Sequence, residues 1–218
     1  MTGGTPPQRG EELLLARVSA AAGRAHLGRR CATYAAHAHA APAGGIRGLL
    51  ALVRSGLPSV RANPDARLDL YERGMTVVVK GRIRIVRYDT TSAFRQDRAF
   101  TLTDAGGERI TLSLGESEEW IPKIQRAVTE AQLPLALARL GRGERLAFGD
   151  IWLTREEVGS GVASAQWSQV QRTEIRDGLV VIGVAGAGNG PEAVASGIPN
   201  LFVLRALVEC LRTESGHP

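Results

Sequence analysis

The feature that most constrains this chain is an internal repeat. Leu68-x-Leu70 followed by a turn returns 83 residues later as Ile151-x-Leu153 and a turn. Arg87–Tyr88–Asp89–Thr90 returns after 79 residues as Gln166–Trp167–Ser168–Gln169, an aromatic followed by a polar residue. The hairpin turn Asp104–Gly107 returns after 73 residues as Asp177–Gly178, and the helix opening Ile121–Pro122–Lys123 after 77 as Ile198–Pro199–Asn200. Each landmark alone is loose. Four of them, in one order and at nearly constant spacing, point to one folding unit built twice. With 218 residues, 44% of them apolar, there is enough to give each unit a core.

The periodicity says what the unit is. From Arg67 the apolar residues alternate, as at Leu68 and Leu70, and Met75–Val79 is a β-branched run. After the Lys80–Gly81 turn, Ile83 and Ile85 alternate with Arg82 and Arg84, the pattern of a half-buried strand with arginines outside. Further strands are expected at Ser92–Arg95, Arg98–Thr103 and Arg109–Leu114, a meander rather than a βαβ alternation. Ile121, Ile124 and Val128 then make a helical stripe, which Pro134 should divide in two and Gly141 and Gly143 should end. The second half repeats the order: strands from Arg145 to Val184, with a break near Gln169, a Gly-rich loop over 185–197, and a helix over Ile198–Leu211.

Antiparallel strands followed by one amphipathic helix can form a sheet bent on itself with the helix closing its open end. The arrangement resembles the pleckstrin-homology-like (PH-like) superfamily. The run from Leu70 through Glu72–Arg73–Gly74 and the basic strand to Tyr88–Asp89 looks like bacterial members of it. It also looks like an uncharacterised actinobacterial family with two such halves. The resemblance covers residues 67–213; the second half departs from it at Glu156–Glu157, where the first has glycine. It implies an α+β protein of two PH-like units, each a bent sheet or partly open barrel with a capping helix.

The expected organisation is a disordered lead over 1–10, a helical N-terminal arm and linker over 11–56, PH-like units over 57–143 and 144–213, and a tail over 214–218. In the arm, Leu14, Val18, Ala21, Ala22 and Ala25 form a helical stripe up to about Arg30. His37–Gly45 is a linker of small residues, and Ile46–Arg54 a short apolar helix.

Charge narrows the function classes. The net charge is +5, and 25 of the 27 basic residues are arginine, which fits a GC-rich genome as readily as a function. Residues 1–56 carry +5, 57–115 carry +3 and 116–218 carry −3, so any anionic partner belongs to the arm or the first unit. Cys31 and Cys210 match no zinc or redox spacing. There is no basic, apolar leader and no uncharged stretch long enough to span a bilayer, so a cytoplasmic protein is expected.

Lys80, Arg82 and Arg84, with Arg87 and Arg73 nearby, form the candidate anionic site, because guanidinium forks can share a phosphate cluster. The competing reading is a solvated strand neutralised by Asp89, Asp97 and Glu72. Gly183–Gly190 fails as a dinucleotide loop, since Pro191 stands where glycine or alanine is needed and too few residues follow. His26, His37 and His39 lack the ligand set of a metal site. No Gly-x-Ser-x-Gly occurs, and no histidine is expected among the strands to serve as a base. Trp120, Trp152 and Trp167 read as core.

The expectation is therefore a non-enzymatic binding or adaptor protein that takes a protein or peptide partner on a sheet edge or open barrel end, with no catalytic residue, cofactor or metal. One alternative is peripheral binding to anionic phospholipid headgroups through strand 80–87. A second is homo-oligomerisation through the arm. Nucleic acid ranks below these, because exposed aromatics are not interleaved with the basic residues.

Overall fold

The computed structural model describes residues 7–40, 66–96, 98–113, 119–186 and 190–215. The helix expected at 46–54 and the breaks at Pro58 and Pro64 lie outside them. After helix α1 (Pro7–Arg24), seven strands run in order: β1 (Arg30–Ala40), β2 (Ala66–Tyr71), β3 (Gly74–Val79), β4 (Arg82–Arg87), β5 (Ala93–Gln96), β6 (Ala99–Thr103) and β7 (Arg109–Ser113). Helix α2 (Trp120–Gly141) follows. Seven more come next: β8 (Leu146–Phe148), β9 (Ile151–Leu153), β10 (Glu157–Ser160), β11 (Ala163–Gln166), β12 (Val170–Arg176), β13 (Leu179–Val184) and β14 (Glu192–Val194). Helix α3 (Leu201–Glu214) closes the chain. Among the described residues the order is thus seven strands and a helix, twice, and the protein is α+β.

Packing divides the chain into two compact units. The first is residues 1–87 with 101–118, and the second is 88–100 with 119–218. Helix α2, which follows the first set of strands in the chain, is grouped by its contacts with α3 in the second unit.

In the first unit the strand order is β4-β3-β2-β1-β7-β6. β1 is long enough to serve two neighbours. Its first part pairs antiparallel with β2, Tyr34 opposite Leu68, and its last part with β7, Ala38 opposite Leu112. This corrects the reading of His37–Ala40 as linker and of residues up to Arg30 as helix. Alanine is a poor strand former, but pairing first with β2 and then with β7 outweighs its local preference. The helix also starts earlier than expected, at Pro7, where a missing N–H costs nothing. It ends at Arg24; left-handed His26 (φ 54°) turns the chain so that Leu27 N donates back to Ala22 O at 3.1 Å.

Leu68, Leu70, Met75, Val77, Val86, Leu102 and Leu112 are buried on the inner face of these strands. Strand β2 is buried on both faces, against the expected alternation, because α1 lies over the outer one. Ala22 and Leu27 pack there on Tyr71, with Ala25 and Ile85 beside them. Gly74 makes the approach feasible: a Cβ there would strike Val86 O and come within 2.8 Å of Leu27 Cδ2.

In the second unit the strands form a four-stranded sheet, β11-β10-β9-β8, and a three-stranded one, β12-β13-β14. A 3₁₀ turn at Trp167–Gln169 makes the break expected near Gln169. Asp177 (φ 50°) and Gly178 (φ 78°) form the expected hairpin turn. The region read as a Gly-rich loop contains β14, whose Ala193 pairs with Val180. Pro134 does not divide α2. The helix loses one backbone hydrogen bond there, and burial of Ile124 and Val128 before it and Leu140 after it holds it continuous. Trp120 and Trp167 are buried, whereas Trp152 is half-buried beneath the Arg145 guanidinium, 3.9 Å from its ring centre.

Asn200, one of the repeat landmarks, has a specific task here. Its side chain accepts from Ala93 N at 2.7 Å and donates to Thr91 O and Gln132 Oε1, each at 2.9 Å. Gln132 in turn donates to Tyr88 O and Thr91 O. The segment 88–93 is thereby clamped to α2 and to the start of α3. Among the described helices none is long and apolar enough to cross a membrane.

Candidate functional site

The register of the first unit determines what faces outward. Thr33 lies opposite Asp69, Asp69 opposite Thr76, and Thr76 opposite Ile85, so these four form one row across the outer face. At the β2 end of the row Asp69 is fully buried. Thr33 Oγ1 donates to Asp69 Oδ1 at 2.6 Å, and Arg67 donates to both carboxylate oxygens, at 2.8 and 3.0 Å. Arg30 stands 3.6 Å away. Burial by itself would raise the Asp69 pKa, but these hydrogen bonds and the charges of Arg67 and Arg30 together hold it below the usual carboxylate value. The hydrogen bond to Asp69 raises Arg67 in turn. Burial, and then the Asp69 charge, push the Tyr71 hydroxyl up.

At the β4 end the row opens into a groove of about 770 Å³. Arg17, Ala21 and Arg24 recur at four- and three-residue steps and so share one stripe of α1, with Ala20 and Ala25 beside them. Ile83, Ile85 and Arg87 form the facing side of β4, and Ala105 donates its backbone N–H to Ile85 O at 2.7 Å. Exposed His26 completes the lining, which among the described residues has an apolar floor, three arginines and no carboxylate. Arg87 Nη1 donates to Ala25 O at 3.3 Å, which ties β4 to the end of the helix. Among the described residues Arg17 and Arg24 have no ion-pair partner.

The five residues singled out from sequence do not share one face. Lys80 (φ 49°) is exposed in the β3–β4 hairpin turn, and Arg82 is exposed at the start of β4. Arg84 is on the same side as Val86, opposite Val77, so its side is that of the core and not of the solvent as expected. It is neutralised by Asp104 at 3.0 Å and by Glu108. Those acids differ from the three named above; of them, Glu72 pairs with Arg29. Arg73 is exposed in the β2–β3 turn, where its backbone N–H donates to Leu27 O. Only Arg87 lines the groove.

Sequence reasoning missed Arg17 and Arg24, and weighed His26 only as a metal ligand. The signal was present in the stripe Arg17–Ala21–Arg24, but the helix end and the strand it faces could not be read together. Among the described residues no three His, Cys, Asp or Glu side chains gather as a metal site. Cys31 is exposed, Cys210 is half-buried, and both are free thiols.

A family model described as "Family of unknown function (DUF6585)" matches residues 71–216. Among solved structures the chain is similar to one titled "Structure of the Spt16D Pob3N heterodimer", at 10% identity and a TM-score of 0.23, over 59% of this chain and 84% of that one. No curated protein matches the chain.

Proposed function

The chain belongs to the Family of unknown function (DUF6585), and we propose that it is a non-catalytic binding protein that takes an acidic peptide segment of a protein partner in the α1–β4 groove. The observation that carries this reading is the lining: Arg17, Arg24 and Arg87 over Ala21, Ile83 and Ile85, with no acid among them. Such a surface suits a segment with carboxylates on one side and apolar residues on the other. The order of seven strands and a helix, twice, supports two PH-like units, the first starting at β1 rather than at residue 57.

The lipid alternative draws on Lys80, Arg82 and Arg73, since Arg84 is already neutralised. Oligomerisation through the arm is the weaker reading, because the apolar stripe of α1 is spent on its own sheet.

The test is a fluorescence anisotropy titration of the full chain with a labelled Glu/Leu-alternating peptide and its Lys/Leu counterpart. Wild type should bind only the acidic one, and Arg17→Ala with Arg24→Ala should weaken binding by about tenfold or more. Equal binding by wild type and the double variant would refute the groove. Flotation with anionic vesicles that depends on Arg82 would favour the lipid alternative.

A further inference from the structure

The second unit has a cavity of its own, of about 450 Å³, on the N-terminal flank of α3. Leu201 and Phe202, both half-buried, form one wall. Ile198 and Phe100 form another, and the Phe100 ring is fixed edge-to-face on Trp120, with centroids 5.9 Å apart and planes at 67°. Ile175, 53% exposed on β12, extends this apolar surface.

Two arginines, Arg95 on β5 and Arg205 one turn along α3 from Leu201, belong to the same cavity, and among the described residues no acid lines it. Exposed Arg98 shares their state, but most other arginines of this unit are engaged, Arg212 for instance with Glu209. Arg126 pairs with Glu130, Arg139 and Arg142 with Glu144, Arg155 with Glu214, and Arg172 and Arg176 with Glu174. Arg145 covers the Trp152 ring. Among the described residues Arg95 and Arg205 have no such partner, although both line an apolar hollow where a guanidinium gains from an anion.

We infer that this cavity binds a single-tailed amphiphile with an anionic head, a carboxylate or a phosphate. The tail lies on Phe100, Ile198, Leu201 and Phe202, and the head meets Arg95 and Arg205. The volume falls in the range of small-ligand sites, which pair mostly apolar walls with a few polar groups that fix orientation. The site is independent of the α1–β4 groove, which belongs to the other unit.

Isothermal titration calorimetry of the full chain with dodecanoate, dodecyl phosphate and dodecanol, each below its aggregation threshold, tests this. At least one anion should bind saturably at one site, about tenfold or more tighter than dodecanol, and the better anion identifies the head group. Arg95→Gln and Arg205→Gln should each weaken the anion by about tenfold and leave dodecanol unchanged. Both side chains are exposed, so an unchanged unfolding midpoint verifies the fold. Absence of saturable binding by both anions, dodecanol binding as tightly, or anion affinity that follows Arg17→Ala with Arg24→Ala instead would overturn the inference.

Discussion

Two ends of one row on one sheet face treat charge in opposite ways. At the β2 end the buried Asp69 is satisfied from three sides, by Thr33, Arg67 and Arg30. At the β4 end, two strands away across Thr76, Arg17, Arg24 and Arg87 line one groove with no acid among its described lining residues. One helix lies over both: Glu11, near its start, acts by charge on Arg67, while Arg17 and Arg24 line the groove. Charge that is neutralised internally costs much to disturb and is structural. Charge without an ion pair beside an apolar floor, as at Arg17 and Arg24 among the described residues, costs little to remove and is open to an anionic group. The Arg84 pairing with Asp104 and Glu108 belongs to the first kind, although its sequence setting suggested the second.

That contrast can be broken by mutation. Asp69→Ala leaves two arginines facing a buried gap and should cost about 3–5 kcal/mol in urea unfolding; a loss no larger than that of a surface substitution would end the structural reading of the cluster. Gly74→Ala drives a methyl into Val86 O and toward Leu27 and should cost about 1–3 kcal/mol. Unfolding followed against pH adds a signed test. The folded pKa of Asp69 lies below its unfolded value, so its contribution is fully present above the unfolded carboxylate range and is lost as pH falls through the folded value. Asp69→Asn should flatten that part of the acid limb, and superimposable acid limbs would contradict the assignment. The smallest effect belongs to Arg126→Ala, whose exposed pairing with Glu130 should leave the unfolding midpoint unchanged.

The strands with strong β-branched or alternating patterns were legible, and so were the Lys80–Gly81 and Asp177–Gly178 turns, because local chemistry decides them. β1 was not legible. Arg-Cys-Ala-Thr-Tyr-Ala-Ala-His-Ala-His-Ala has little strand preference, and only pairing with β2 and β7 makes it one. The same omission hid the site. Without β1 the arm read as separate from the sheet, so neither the Thr33 and Arg30 contacts of buried Asp69 nor the packing of Tyr71 on Ala22 and Leu27 could be foreseen. Arg87 was identified from its strand, but its groove partners lie on a helix more than sixty residues earlier. Asn200 was found as a repeat landmark; its clamp on Thr91 and Ala93 depends on a contact across more than a hundred residues.

The most direct test of the central claim is to map the acidic Glu/Leu peptide on the full chain by amide chemical-shift perturbation. If the α1–β4 groove is the binding surface, the largest shifts fall on Ala20, Ala21, Ala25, Ile83 and Ile85, and vanish in the Arg17→Ala, Arg24→Ala protein. Shifts confined to Lys80, Arg82 and Arg73, with the α1 amides unmoved, would contradict it.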